Sequence, residues 1–361
     1  MNATRATVDL DDVDGLIAAD RQGLLRAAST AGAQVRATAA ALDEGALDEL
    51  QSDQPPRTVI WVSGRGGAET AGAMLAAALG GSAAAPIVVA SEAPPWIGAL
   101  DVLVVAGDDP GDPALVSAAA TGVRRGARVV VVAPYDGPLR DATAGRAAVL
   151  APRLWVPDDF GMTRYLAAGL ATLHVVDPGL RMDLATLADE LDAEALRNSA
   201  GREVFTNPAK ALAGRMNGRG VVLAGDGADT LALARHGGAT LLRIAHQPVA
   251  AVGLADALVA LRTGMGTDPD ADYASALFHD EEIDGPLPQR IRTFVLTTDA
   301  ERAVVLARVA GLDDVDVIGA EDIPVADVAE TPVSTGRPEQ QLAMLATRLE
   351  MAAVYLRLVR G

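Results

Sequence analysis

Residues 59–75 read VIWVSGRGGAETAGAML, and the order of residue types in them decides the fold. Val59, Ile60, Trp61 and Val62 are β-branched or aromatic and form an unbroken apolar run, the pattern of a strand buried on both faces. The run stops at Ser63-Gly64, passes through a glycine-rich turn, and continues as an Ala-rich stretch of helical character. Strand, Gly-rich turn and helix make the first half of a parallel α/β unit. Such a turn lays backbone N–H groups at a helix N-terminus, where anions and polar ligands are held. Gly64, Gly66 and Gly67 allow close backbone approach, with Arg65 and Glu69 bordering them. Glu69 stands where a dinucleotide fingerprint would need its third glycine, so G-x-G-x-x-G is not met.

Outward from this unit the pattern recurs. Residues 14–42 carry apolar positions at helical spacing and predict one or two helices ahead of the sheet. Residues 51–57, with Pro55-Pro56, form a linker. Further strands are predicted at 87–90, 101–106 and 129–132, with a loop over 107–113 and a helix ending at Gly126. Helices are expected around 162–176 and 184–196. A second strand and Gly turn follow at 220–227, leading into a helix through Arg235. Strands at 240–244, 293–297 and 316–318, a helix over 254–262, and a long terminal helix over 339–359 complete the chain. The fold class is α/β, with two doubly wound parallel sheets, flavodoxin-like, and flanking N- and C-terminal helices. The divisions are 1–50, 51–197 and 198–361. Ligands in such sheets sit beyond the carboxyl ends of the strands, where both Gly turns lie.

Composition narrows the function. At 361 residues the chain suits two domains of about 150 to 180 residues. Cysteine is absent, which excludes disulfides, thiolate catalysis and Cys-ligated zinc. A net charge of −18 without a basic stripe argues against nucleic acid and anionic membranes as partners. No signal sequence or membrane span is visible, so a cytoplasmic protein is expected, and the Ala/Gly/Asp/Arg bias suggests a GC-rich bacterial source.

Several segments carry a family resemblance. Residues 63–75, SGRGGAETAGAML, resemble the G-x-G-G-S-x-x-A-G-D segment of SIS (sugar isomerase) domains of the bifunctional phosphoglucose/phosphomannose isomerase type. Gly64, Gly66, Gly67, Ala71 and Gly72 match in register. Residues 101–134 resemble the family's next unit, with Gly126-Ala127-Arg128-Val129-Val130 fitting R-G-A-x-V-V. Residues 161–166, GMTRYL, resemble G-x-x-P-R-x-x-L with Thr163 in place of proline, and residues 207–213, NPAKALA, match N-P-A-K-x-L-A. The resemblance implies a SIS fold, a carbohydrate derivative as ligand, no cofactor, and a homodimer.

It also marks where this chain departs. The four hydroxyl positions of the family's phosphate loop fall on Gly107, Asp109, Asp112 and Leu115, Asp108 is added beside them, and the first-loop serine falls on Ala68. A phosphate dianion ~4 Å from one carboxylate is opposed by a few kcal/mol at an effective dielectric near 20. The Asp residues also suit helix capping, or a hard cation. The family's general-base Glu falls near Leu242 and Arg243, and its His-Asn pair near Ala255-Asp256. Candidate catalytic residues are therefore His246 and Arg164. Candidate ligand contacts are Gly64, Arg65, Gly66, Gly67, Glu69, Asp109, Asp112, Arg164 and His236. His174 reads as a buried or boundary residue, and His279 beside Asp280, Glu281 and Glu282 as a solvated acidic loop; no metal site is expected. Two functions follow. One is an isomerase-like enzyme, with aldose–ketose turnover doubtful for want of the Glu. The other is a non-catalytic protein binding a sugar or nucleotide sugar. Generic nucleotide binding is weaker still, because neither Gly turn has a P-loop lysine.

Overall fold

The computed structural model describes residues 8–265, 290–322 and 337–361. Three helices, α1 (Val13–Ala19), α2 (Leu24–Ala28) and α3 (Ala31–Asp43), precede the first sheet, where the sequence predicted one or two. Then come β1 (Thr58–Ser63), α4 (Gly67–Leu79), β2 (Ile87–Ala90), β3 (Asp101–Ala106), α5 (Pro113–Arg125), β4 (Arg128–Val132), α6 (Gly137–Thr143) and β5 (Ala147–Val149). These strands form a parallel sheet in the order β2-β1-β3-β4-β5. Helices α7 (Met162–Val176), α8 (Leu184–Arg197) and α9 (Pro208–Met216) lead to the second sheet.

The second half contains β6 (Gly220–Gly225), α10 (Ala228–Ala245), β7 (Val249–Gly253), α11 (Leu254–Arg262), β8 (Ile291–Leu296), α12 (Asp299–Val309), β9 (Val315–Ile318) and α13 (Pro338–Arg360). Its strands are again parallel, ordered β7-β6-β8-β9. In both sheets the first strand lies inside, and the order reverses beside it. That reversal opens the crevice where doubly wound sheets take ligands.

One sequence expectation fails here. Residues 240–244, TLLRI, were expected as a strand but form the last turns of α10, and the strand is VAAVG at 249–253.

Side chains alternate across β1 as a two-sided strand requires. Val59 and Trp61 enter a core shared with α4, α7, α10 and α13, while Ile60 and Val62 pack with Leu115, Ala119 and Leu139 on the other face. Gly72 of α4 lies directly on the Trp61 ring, and a Cβ there would overlap the indole. The ring is fixed by Trp61 Nε1 donating to the Ala68 carbonyl at 3.0 Å. Gly72 is thus a packing residue that lets α4 settle on the sheet.

The two halves are joined by buried polar groups. Asn207 caps α9 by accepting from the Lys210 N–H at 2.9 Å, with Pro208 in the first turn. Lys210 is wholly buried, and its Nζ donates to the carbonyls of Ala200 and Arg202 at 2.9 and 2.7 Å. The NPAK motif therefore ties down the connection between the sheets. Beside it, Arg348 of α13 reaches Glu194 of α8 at 2.7 Å and the carbonyls of Gly319 and Ala320 beyond β9. Arg197 adds a second cation to Glu194 at 2.9 Å.

The sheets point in opposite directions. α7 starts against Gly67 at the carboxyl edge of the first sheet, and Asp177 at its far end accepts from the Ala84 N–H ahead of β2. α13 likewise runs from Asp299, beyond β8, to Gln247, ahead of β7. Arg243, late in α10, meets Asp159 ahead of α7 at 2.5 Å, and Arg337, ahead of α13, donates to the Arg181 carbonyl beyond α7. The carboxyl edge of each sheet therefore lies at the end of the molecule where the other has its amino edge. No described helix is long and apolar enough to cross a membrane.

Candidate functional site

The crevice between β1 and β3 is built from two backbone turns in contact. Gly66 has φ 81° at the start of α4, a conformation that favours glycine. A Cβ on Gly64 would sit 3.7 Å from Gly107 Cα and 3.8 Å from Asp112 Oδ2, so the turns after β1 and β3 touch. A Cβ on Gly67 would come within 3.1 Å of the Met162 backbone, which brings the N-terminus of α7 onto the same turn. Gly64, Gly67, Asp112 and Arg164 are therefore neighbours or next to neighbours. Arg65 and Glu69 are exposed at the turn.

Each carboxylate of the 107–113 loop has a partner. Asp112 caps α5, accepting from the Ala114 N–H at 2.8 Å, with Pro113 following. Asp109 is exposed and accepts from the Gly111 N–H at 2.8 Å. Asp108 turns the other way. Its Oδ1 accepts from Arg164 Nη2 at 2.6 Å and from the Tyr165 hydroxyl, and Arg164 Nη2 also reaches that hydroxyl at 2.6 Å. The guanidinium lies over the Tyr165 ring, 4.4 Å from its centre. Burial, and then the Asp108 charge, push the Tyr165 hydroxyl well above its ordinary pKa despite Arg164 pulling the other way, so it serves as a donor.

Around this triangle opens a cavity of about 300 Å³, floored by Asp108 and Arg164 and walled by Gln34 of α3, Asp158 and the 152–156 segment beyond β5. Gln34 is 4% exposed; its Nε2 donates to the Phe160 carbonyl at 2.9 Å, while its Oε1 is buried without a partner among the described residues. Arg164 Nη1 is likewise buried and unpartnered. Trp155 stands on the rim, 91% exposed. Burial, followed by repulsion from Asp108, raises the Asp158 carboxyl above its ordinary pKa, so it holds a proton more readily than a free aspartate. The cleft is thus lined by an amide, a guanidinium, a carboxyl inclined to protonate and an exposed aromatic face.

The two candidate histidines lie elsewhere. His236 is nine residues beyond Gly227, about 14 Å down α10 at 1.5 Å per residue. It is 3% exposed and bonded through Nε2 to Glu350 of α13 at 2.9 Å. His246 ends α10 in the left-handed conformation with φ 52°, at the amino edge of the second sheet. It lines a separate cavity of about 710 Å³ with Asp20, Arg21 and Arg357. The physical reason is the length of α10: the helix that runs through 240–244 carries His246 away from the strand mouth that the sequence suggested. Leu242 is exposed and Arg243 is engaged with Asp159, so neither supplies a base. His174 is half-buried with Nδ1 3.1 Å from the Leu180 carbonyl. His279 and its acidic neighbours lie outside the described residues. Among the described residues no group of side chains has the arrangement of a metal site.

No protein-family model matches the sequence, and no curated protein does. Solved structures do. A proposed phosphosugar isomerase from Clostridium difficile 630 superposes with a TM-score of 0.62 at 12% identity, over 94% of this chain and 93% of its own. The tagatose-6-phosphate ketose/aldose isomerase of Escherichia coli gives 0.61 at 16%, over 99% and 95%. The C-terminal domain of glucosamine-fructose-6-phosphate aminotransferase from Francisella tularensis gives 0.57 at 10%, over 94% and 96%. The fold is that of the SIS phosphosugar isomerases. Within the SIS fold, Asp108, Gln34, Asp158 and Trp155 line the cleft, with the Tyr165 hydroxyl bonded to Asp108, and the sequence named none of these as a carbohydrate contact. Asp108 and Tyr165 adjoin residues the sequence did single out, Gly107 and Arg164. Gln34 carries no such signal, because it arrives from a helix 126 residues before its partner Phe160.

Proposed function

We propose that this SIS-fold protein binds a carbohydrate derivative in the first-sheet cleft and does not isomerise hexose 6-phosphates. One observation carries the reading: Gln34 and Arg164, each holding a buried polar atom unpartnered among the described residues, line one cleft with the exposed Trp155 ring. A polyhydroxylated ligand supplies hydroxyls that donate and accept, and an apolar face for the indole. Pockets with a few fixed polar groups and an aromatic wall select ligands of that kind. Segment order favours a phosphoglucose/phosphomannose isomerase ancestry, while the positions of the expected base, Leu242 and Arg243, are an exposed apolar residue and an ion-paired cation.

The test is a thermal-shift titration against neutral sugars, nucleotide sugars and sugar phosphates. Saturable stabilisation by a carbohydrate is expected, about 2.7 kcal/mol at a hundred times Kd. It should be lost in Arg164→Ala and Gln34→Ala. No shift with any carbohydrate overturns the reading. An isomerase assay on glucose 6-phosphate should show no fructose 6-phosphate, and turnover would restore the enzymatic alternative, with Asp158 as the proton carrier to test first. A homodimer, as the resemblance implies, belongs to the same proposal and is read from mass in solution.

A further inference from the structure

Arginine binds anions by offering two parallel N–H groups to a carboxylate or phosphate. In the first-sheet cleft Arg164 has already spent one side of that fork. Its Nη2 donates to Asp108 Oδ1 at 2.6 Å, the Tyr165 hydroxyl donates to the same oxygen, and the three atoms close a triangle. The ring of Tyr165 beneath the guanidinium, and a side chain only 14% exposed, keep Arg164 from swinging out to meet an incoming anion. The other cation of the cleft, Arg153, is held by Glu44 at 2.8 and 2.5 Å. A phosphate entering here meets the carboxylates of Asp108 and Asp158, and both of the cleft's cations are already matched.

We propose that Asp108 is a built-in counter-anion which occupies Arg164 and so restricts the cleft to carbohydrates that carry no phosphate. The inference rests on the cleft being the carbohydrate site and takes it further by naming the substrate class. The lining suits it: the amide of Gln34 and the guanidinium of Arg164 can bond to hydroxyls, and neither then needs a charged ligand. Burial is the main cause of the raised pKa of Asp158, and repulsion from Asp108 adds to it.

The experiment uses inorganic phosphate alone as the probe, in a phosphate-free buffer, with calorimetric titration and thermal shift on the full chain. Wild-type protein should not respond. Asp108→Ser, which removes the carboxylate, should gain saturable binding with a Kd at least about a hundred-fold below any seen in wild type. Asp108→Asn keeps the size and an oxygen for Tyr165 while removing the charge. It should shift the same way, which guards against a serine variant that folds poorly. Adding Arg164→Ala to either should abolish the gain. Wild-type protein that binds phosphate as tightly as the variants overturns the proposal. So do two folded variants that stay blind to phosphate, or a gain that survives loss of Arg164. Because phosphate is the only probe, these results stand apart from whether a carbohydrate stabilises wild-type protein, which decides the binding reading itself.

Discussion

Gly72 and Gly237 occupy matching places in the two halves, each letting the first helix settle on the central strand. What they rest on differs. Gly72 lies on the Trp61 ring, whose Nε1 is pinned to Ala68. Gly237 faces the ends of Leu223 and Leu349, where a Cβ would sit 2.8 and 3.1 Å from flexible methyl groups. The carboxyl edges differ in the same sense. In the first half, Asp108 draws its partner Arg164 from α7, outside the strand-to-strand crossovers, and a cavity forms between them. In the second, Asp226 after β6 is tied at 2.5 Å to Arg308 of α12, and Arg302 of the same helix holds Asp322. One α/β plan, used twice, has produced an edge that recruits groups from elsewhere and an edge whose cations come from its own helix. Similar topology thus does not imply equivalent sites.

The link between the halves should give the largest effect. Arg348→Ala leaves buried Glu194 with Arg197 as its one cation and Asn198 Nδ2 as a neutral donor, and about 3 kcal/mol or more of stability should be lost in urea unfolding, since breaking a buried pair strands a charge. The same carboxylate sets an acid dependence. Burial raises its pKa, but Arg348 and Arg197 outweigh that and hold it below the ordinary 4.5. The stability this gives is complete above that value and is lost as pH falls through the lower, folded one. Glu194→Gln should be less stable near neutrality and lose less on acidification; equal pH slopes would remove Glu194 as the cause.

Next comes the glycine pair. Gly72→Ala must displace a fixed ring and should cost ~1–3 kcal/mol, whereas Gly237→Ala meets movable leucine ends and should cost clearly less. Equal costs, measured by denaturation, would erase the contrast between the halves. The smallest effect is expected for Arg308→Ala, a partly exposed pair with Asp226, at ~0–1 kcal/mol. A larger loss would mean that the second edge depends on that pair as the link depends on Arg348.

The strands of both sheets were readable where β-branched runs stand between breakers, as in VIWV, DVLVVA and GVVLA. The TLLRI and VAAVG segments show the limit. The first carries β-branched Thr240 and Ile244 at its ends, yet sits in the last turns of an 18-residue helix whose apolar face meets α13 and α4. The second is a strand made mostly of Ala and Gly. The Leu-Leu-Arg centre of the first already favours helix, and only in the second did packing override propensity. That single exchange also moved His246, since a residue read as following a strand instead caps a helix at the opposite edge. In the cleft, Arg164 and the Gly turns were legible because local spacing defines them. Asp108's turn toward Arg164 was not, because an aspartate after a strand reads equally well as a helix cap, as Asp112 in fact is. Gln34 comes from a sequence-distant helix and depends wholly on how α3 packs.

The joining of Glu194 to Arg348 also bears on how the protein is made. Their codons are 154 residues apart. On a ribosome the first sheet and α8 emerge long before α13 exists, and during that interval burying Glu194 has Arg197 as its one cation, with the neutral Asn198 amide beside it. The end of α8 should therefore stay solvated until α13 has left the exit tunnel, and the first half should complete its packing only then. Nascent chains arrested before α13 would then be cleaved near Leu196, while chains that include α13 resist.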